Sequence, residues 1–198
     1  MNGTGPDAVI LAAGMSRRAQ TCKMEFEIGG RPMLSHVVDM FSGICTNIIV
    51  VYGHYKKKVL DILPQRETVI PVENIRYKEG MFSSVRKGVE FTERDFFICP
   101  GDLPGIAPET VEALASAPGN IRIPVYMGRK GHPVFFSKGM KEGILSMNRK
   151  ATLRDFIESQ EYALIDVNDR CILEDIDSAE DYKKFIRIHL SGQSTGGT

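Results

Sequence analysis

The sequence predicts an α/β fold: a single domain of three layers, in which helices cover both faces of a mostly parallel, Rossmann-like sheet. Short apolar runs alternate with segments of helical period, which is typical of βαβ units. Most of these runs are continuously apolar, as expected of strands that are buried on both faces. The 198-residue chain has 42% hydrophobic and 25% charged residues, which fits one globular domain.

Seven apolar or β-branched runs are predicted strands: residues 8–12, 47–52, 68–72, 96–99, 121–125, 134–136 and 162–166. Five segments with helical spacing are predicted helices: residues 32–41, 82–91, 108–115, 151–158 and 178–188. Pro32 and Pro108 suit a first helical position, and Ser178 with Asp181 resembles a capping pair. The predicted domain therefore covers residues 1–190, and the Gly, Ser and Thr content of residues 191–198 predicts a flexible tail.

Charge balance and cysteine spacing narrow the class of function. Lys+Arg and Asp+Glu both total 25, so no net field would attract nucleic acid or an acidic membrane, and we expect small-molecule substrates. The apolar run at 8–13 is too short to cross a bilayer and Asp7 does not suit a signal peptide, so we expect a cytoplasmic protein. The widely spread cysteines predict reduced thiols. For Cys22 there are two interpretations: a thiol activated by neighbouring Lys23, or the more frequent passive loop residue.

Two loops that follow predicted strands are candidates for the site, because an open α/β sheet binds ligands beyond the carboxyl ends of its strands. In residues 11–23, small residues after a buried strand allow backbone N–H groups to approach an anion closely. Arg18 and Lys23 add positive charge at spacings that suit two phosphates. The alternative is a plain turn with solvated basic side chains, and these residues alone favour neither. The predicted nucleotide contacts of this loop are Leu11, Ala12, Ala13, Gly14 and Ser16.

The second loop, residues 101–105, presents Asp102 at the edge of the strand predicted at 96–99. Gly101 and Pro104 set the turn. Magnesium is typically held by one or two carboxylates plus substrate phosphates, so Asp102 with one further aspartate would form a site. A lone Gly-Asp turn is more often structural.

Motifs spread along almost the whole chain resemble, in their order, the signature of the MobA-like nucleotidyltransferases. They are LAAGxSxR at 11–18 with Lys23, GRPML at 30–34, EGMFSSVRKG at 79–88, PGDLP at 100–104, RKGHPV at 129–134 and DIDSAEDY at 175–182. The resemblance implies the nucleotide-diphospho-sugar transferase type of fold. It also implies Mg²⁺-dependent transfer of a nucleoside monophosphate to a phosphorylated acceptor, with release of pyrophosphate.

The resemblance assigns roles to single residues. Catalytic roles fall to Lys23, Arg18 and Asp102, and the metal ligands would be Asp102 and Asp177, with Asp175 as the less favoured partner. Further nucleotide contacts would come from Ser83, Ser84, Arg86 and Gly101. The two serines equally suit helix capping, and Arg86 a solvated position. His132, constrained between a glycine and a proline, would lie near the acceptor.

The chain most resembles the molybdopterin cytidylyltransferase subgroup, because Ala13 stands where the guanylyl branch has a second glycine. CTP is therefore the preferred nucleotide and molybdopterin the implied acceptor, with a molybdoenzyme or its chaperone as the implied protein partner. Two alternatives stay open: a cytidylyltransferase for a sugar or polyol phosphate, and a catalytically weak nucleotide-binding accessory protein. The second rests on Ala19-Gln20, which replace the family's usual Met-Gly, because glutamine cannot supply glycine's backbone freedom cheaply.

Overall fold

The computed structural model describes residues 5–16 and 18–190. The predicted tail at 191–198 lies outside the described residues. The strands are β1 (Asp7–Ala12), β2 (Glu27–Ile28), β3 (Arg31–Pro32), β4 (Ile48–Tyr52), β5 (Val69–Glu73), β6 (Phe96–Pro100), β7 (Ile121–Tyr126), β8 (Arg129–Lys130), β9 (Val134–Phe136) and β10 (Ala163–Asp166). The helices are α1 (Met33–Phe41), α2 (Lys56–Ile62), α3 (Met81–Val89), α4 (Pro108–Ser116), α5 (Lys141–Ser146), α6 (Leu153–Glu158) and α7 (Ala179–Leu190).

The central sheet has the strand order β10-β7-β9-β6-β1-β4-β5, with β8 paired to β7. Strand β1 lies in the middle and pairs in parallel with both β4 and β6. Strand β9 runs antiparallel between β6 and β7. The predicted α/β class with a mostly parallel sheet is confirmed.

Helices pack on both faces of the sheet through two apolar clusters, so the fold has three layers. Alternate residues of β1 point to opposite faces, so Ala8 and Ile10 join one buried cluster and Val9 joins the other. Helix α1 packs on the first face and helix α3 on the second. Side chains of both helices are fully or almost fully buried there: Met33, Leu34, Val37, Val38 and Phe41 from α1, and Phe82, Val85 and Val89 from α3.

The seven predicted strands and five predicted helices are all present, with ends that differ by a few residues. The capping pair of α7 is confirmed: the Ser178 backbone N–H donates to Asp181 Oδ2 at 2.9 Å, and the Asp181 N–H donates to Ser178 Oγ at 3.2 Å. Pro108 begins α4, but Pro32 lies one residue before the first residue of α1. Helices α2 and α5 were not predicted, because each has one fully buried side chain and too little apolar periodicity.

None of the helices in the two described ranges combines the length and hydrophobicity needed to cross a bilayer.

Candidate active site

The two candidate loops meet at the carboxyl ends of β1 and β6. These strands are parallel neighbours with Leu11 opposite Pro100, so the segments that follow them leave the same edge of the sheet side by side. The Gly101 backbone N–H donates to the Leu11 carbonyl at 3.0 Å, which joins the loops directly. A Cβ at Gly101 would lie 3.1 Å from that carbonyl oxygen. Gly101 therefore permits the close approach of the two loops.

Lys23 lies between two carboxylates. Its Nζ is 2.7 Å from Asp177 Oδ1 and also forms an ion pair with Asp102 Oδ2. Arg18 approaches Asp177 from solvent, with 2.6 Å between NH2 and Oδ2. The Lys23 and Asp102 side chains are 11% and 14% exposed, whereas that of Arg18 is 74% exposed. Lys23, Asp102 and Asp177 thus form a mostly enclosed cluster, and the exposed Arg18 pairs with it from the solvent side.

Mutual charge stabilisation sets the protonation of this cluster. Burial alone would lower the pKa of Lys23, but the Asp102 and Asp177 carboxylates outweigh it and raise that pKa. The hydrogen bond from Lys23 lowers the pKa of Asp177, and the nearby Arg18 charge adds to this effect. Burial raises the pKa of Asp175, and its neighbour Asp177 raises it further. Lys23 and Asp177 are therefore both charged at neutral pH.

The oxygen atoms of Asp102 and Asp177 fit a hard divalent cation. Asp102 Oδ1 is buried without a hydrogen-bond partner among the described residues, so its lone pairs are not used by protein donors there. The carboxylates already converge on one cation, the Lys23 ammonium group. Two carboxylates with room for phosphate oxygens are a donor set that Mg²⁺ accepts.

Asp177 is better placed than Asp175 to complete such a site. Asp177 lines the same cleft as Asp102 and Lys23, whereas Asp175 lines a separate cavity beside Arg170 and Lys184.

A cleft of about 440 Å³ opens above the cluster. Ten of the residues predicted to act in the site line it: Leu11, Ala12, Ala13, Gly14, Ser16, Arg18, Lys23, Ser84, Asp102 and Asp177. A Cβ at Gly14 would meet no atom within 4 Å, so this part of the loop presents open backbone to the cleft. The other lining residues were not predicted as site residues: Met15, Met24, Tyr55, Tyr77, Gly80, Met81 and Pro100. Tyr55 supports the loop through a 3.4 Å hydrogen bond to the Met15 carbonyl, and its position shortly after β4 was the available signal.

Ser83 and Arg86, both predicted to contact the nucleotide, face a different cavity. Arg86 NH1 donates to the Met147 carbonyl at 2.8 Å, and Ser83 Oγ donates to the Gly80 carbonyl at 2.8 Å. Helix α3 begins at Met81, with Gly80 at φ +107° in the cap position, so neither Ser83 nor Ser84 caps it. The capping interpretation of the two serines is wrong because the helix begins before both of them, and the side chains of Ser83 and Arg86 instead bond to backbone carbonyls.

A second cavity, of about 700 Å³, adjoins the cleft and shares Leu11, Gly80, Met81 and Pro100 with it. His132 lies in this cavity, and its Nδ1 is buried without a partner in the described part of the chain. Burial lowers the pKa of His132 despite the nearby Asp102 charge, so the ring is neutral at pH 7. The walls are largely apolar, and four basic residues join them: Lys130, Arg149, Lys150 and Arg154.

Two features of the first loop bear on its chemistry. Cys22 is 1% exposed and burial raises its pKa, so the interpretation as an activated thiol is wrong. Gln20 has φ +54°, in the left-handed region that favours glycine, and its N–H donates to the Ser16 carbonyl at 3.0 Å. Gln20 therefore has a strained backbone conformation in this loop.

Comparisons with known proteins place this site in a family. The sequence model of the MobA-like NTP transferase domain matches residues 8–164. The molybdenum cofactor cytidylyltransferase of Escherichia coli K12 is 22% identical over 178 residues, covering 89% of this chain and 93% of the relative. A probable molybdenum cofactor guanylyltransferase of Natranaerobius thermophilus is 30% identical over 166 residues, covering 75% of this chain and 78% of the relative.

Solved structures show the same fold. The Methanothermobacter nucleotidyl transferase Mth528 has a TM-score of 0.80 at 20% identity, covering 94% of this chain and 98% of its own. Rv0371c of Mycobacterium tuberculosis H37Rv, solved in complex with manganese, has a TM-score of 0.72 at 20% identity, covering 91% and 97%. The matched family model spans both loops and the Lys23 and Asp102 positions, whereas Asp177 lies beyond the matched residues. The chain belongs to the family of MobA-like NTP transferases.

Proposed function

We propose that the protein is a Mg²⁺-dependent cytidylyltransferase that transfers CMP from CTP to a phosphorylated acceptor such as molybdopterin. The observation that carries the proposal is Lys23 held between Asp102 and Asp177 beneath the open backbone of Gly14. This arrangement sets a lysine and two carboxylates where the phosphates of a bound nucleotide would lie.

The reaction is attack by an acceptor phosphate oxygen on the α-phosphorus of CTP. The bond from that phosphorus to the bridging oxygen breaks, and pyrophosphate leaves with the electron pair. Because both reactants are anions, catalysis depends mainly on alignment and charge neutralisation. When bound, Mg²⁺ held by Asp102 and Asp177 would neutralise phosphate charge.

Residues of this chain supply the other parts of the reaction. Backbone N–H groups from Ala12 to Ser16 would hold the triphosphate, and Lys23 would offset the charge that develops on it. Arg18, which is largely exposed, would pair with the leaving pyrophosphate. Ser84 and Tyr77 also line the cleft and would contact the nucleoside.

Cytosine is the preferred base because Ala13, rather than a second glycine, follows Ala12. Ala13 is 3% exposed and packs in the apolar cluster with Val9, so its methyl group is part of the loop's support. The two curated relatives act with different bases by name, one a cytidylyltransferase and one a guanylyltransferase. The ratio of turnover with CTP to turnover with GTP therefore measures the base preference directly.

The 700 Å³ cavity is the proposed acceptor site. Its basic residues suit a phosphate group, its apolar walls suit a ring system, and His132 in its lining would lie near the acceptor. A small sugar or polyol phosphate would leave much of the apolar wall uncovered, which favours a larger heterocyclic acceptor. A molybdoenzyme or its chaperone would then receive the product.

The test is pyrophosphate release measured with CTP, GTP and ATP, each with molybdopterin or with sugar and polyol phosphates. We expect release with CTP and molybdopterin, and a loss of about 10²–10³ in turnover for Lys23→Ala and for Asp102→Ala. Lys57→Ala, at an exposed position on α2, is the matched control and should retain full turnover.

Other outcomes identify the alternatives. Release only with a sugar or polyol phosphate would replace the acceptor in the proposal. Tight CTP binding without release from any acceptor would mean an accessory protein. Near-normal turnover in Lys23→Ala would remove the role proposed for this residue.

A further inference from the structure

Three side chains with metal-binding chemistry meet outside the cleft. Cys171 and Glu174 come from the 3₁₀ turn Arg170–Leu173 and the residue after it, and His189 comes from the last turn of α7. Cys171 Sγ lies 3.7 Å from Glu174 Oε2 and 4.0 Å from His189 Nε2, and the last two atoms are 3.0 Å apart. One thiol, one carboxylate and one imidazole thus present their ligand atoms to a common point.

We propose that Cys171, Glu174 and His189 bind a Zn²⁺ ion or a similar late transition-metal ion. Tetrahedral zinc with bonds of about 2.0–2.3 Å holds its ligand atoms about 3.3–3.8 Å apart. The three observed separations lie within a few tenths of an ångström of that range. Small side-chain movements therefore complete three ligand bonds and leave a fourth position for water.

The ligand types select a different metal from the one in the cleft. Thiolate and imidazole suit zinc and its neighbours, whereas Asp102 and Asp177 offer only oxygen, which suits magnesium. A thiolate and a carboxylate together balance the double charge of the ion. The two sites would therefore be occupied independently.

Neighbouring side chains already hold the ligands in place. Arg170 forms an ion pair with the other oxygen of Glu174, with 2.6 Å between Nε and Oε1, which restrains the carboxylate. The rings of Phe185 and His189 have centroids 4.3 Å apart, which restrains the imidazole. Cys171 is 8% exposed, and burial, with the charges of Asp169 and Glu174, raises its pKa to about 12. Metal binding would therefore displace the thiol proton to solvent as the sulfur–metal bond forms.

The site lies next to the segment that shapes the active site. The Ile172 carbonyl accepts a 3.1 Å hydrogen bond from the His132 N–H, and the chain reaches Asp177 shortly afterwards. A metal ion at Cys171 would tie this segment to α7. Its occupancy does not depend on which nucleotide or acceptor the protein uses.

The test is a Co²⁺ titration of the metal-free full chain in excess Mg²⁺, followed by absorption. We expect one equivalent of cobalt to give a thiolate-to-metal charge-transfer band with tetrahedral d–d bands, and Zn²⁺ to displace it. The oxygen ligands of the cleft cannot produce the thiolate band. Cys171→Ser should abolish the band, and Cys45→Ser should keep it, because Cys45 is equally buried but belongs to no such cluster in the described residues.

His189→Gln provides a second variant at a half-buried position near the end of α7 and tests the imidazole alone. We expect its affinity for Co²⁺ to fall by tenfold or more, with unchanged circular dichroism. The proposal is overturned if the native chain gives no charge-transfer band, if Cys171→Ser retains it, or if His189→Gln binds as tightly as the native chain.

Discussion

The backbone N–H of Ile176 donates a hydrogen bond to the carbonyl oxygen of Asp102, with 2.9 Å between N and O. This bond fixes the segment that contains Asp175 and Asp177 against the loop that contains Asp102. Asp177 lines the cleft as a result, and Asp175 lines a different cavity. Two aspartates that look equivalent in the sequence thus line different cavities, while their side chains hydrogen-bond to each other.

This separation predicts unequal effects of two otherwise identical substitutions. Asp177→Asn removes a cleft carboxylate that pairs with Lys23 and Arg18, so we expect turnover to fall by about 10²–10³. Asp175→Asn leaves those contacts in place, and we expect a loss below about tenfold. Mn²⁺ binding in the presence of CTP, measured by calorimetry, should weaken in the first variant more than in the second. An equal or larger loss in Asp175→Asn would reverse the assignment.

Gly14→Ala should weaken ligand binding while leaving the stability of the fold almost unchanged. The added methyl group meets no protein atom within 4 Å, so the free energy of unfolding should change by less than about 0.5 kcal/mol. The same methyl group projects where the triphosphate approaches the loop, and we expect the Kd for CTP to rise at least about tenfold, or 1.4 kcal/mol. Urea unfolding and calorimetry measure the two quantities.

Gly139→Ala is the control, because its Cβ would also meet no close neighbour and it lies away from the cleft. It should alter neither quantity. If Gly14→Ala binds CTP as the native chain does, the loop is not in contact with the triphosphate.

The sequence predicted those parts of the structure whose place in the fold follows from a local pattern of residues. Continuous apolar runs predicted the strands. In a parallel sheet, the loops that follow neighbouring strands lie at the same edge, and Asp102 and Lys23 lie close together there as expected. Arg86 shows the limit of such reasoning. The direction of its side chain depends on how α3 packs in the fold, and its NH1 donates to the Met147 carbonyl, 61 residues further along the chain. The sequence could not fix which cavity that side chain faces.

The cluster of Cys171, Glu174 and His189 was not predictable for a different reason. Zinc-binding motifs are recognised by short, repeated spacings of cysteine and histidine, and here the thiol and the imidazole come from a 3₁₀ turn and the end of a helix. Only the packing of α7 on that turn brings them together. A contact between two segments that are distant in the chain does not produce a periodic pattern of residues in the sequence.

Gln20 offers a test of loop strain. A non-glycine residue in the left-handed region costs about 1–2 kcal/mol, and glycine's greater freedom in the unfolded chain offsets about 0.5–1 kcal/mol of this. Gln20→Gly should therefore raise the free energy of unfolding by up to about 1 kcal/mol, whereas the β-branched Gln20→Val should lower it. Urea denaturation of both variants measures the difference. A loss of stability in Gln20→Gly would show that the glutamine side chain contributes more than its backbone strain costs.

Gly88 is where helix α3 comes closest to the sheet, and it predicts the largest effect on stability. A Cβ there would lie 2.3 Å from Val9 Cγ1 and 2.8 Å from Val51 Cγ2, so Gly88→Ala forces α3 away from β1 and β4. Overpacking costs about 1–3 kcal/mol, more than the roughly 1 kcal/mol that alanine gains in helix propensity. We expect urea unfolding to show a net loss of up to about 2 kcal/mol.

The displacement of α3 should also change the shape of the cleft, because Gly80, Met81 and Ser84 at the start of this helix line it. Gly88→Ala should therefore also weaken CTP binding, although residue 88 does not line the cleft. Adding Val9→Ala removes the nearest clashing atom, so the double variant should lose less stability than the sum of the two single variants and recover part of the CTP affinity. If the two substitutions are simply additive in stability, close contact between Gly88 and Val9 does not limit the packing of α3 on the sheet.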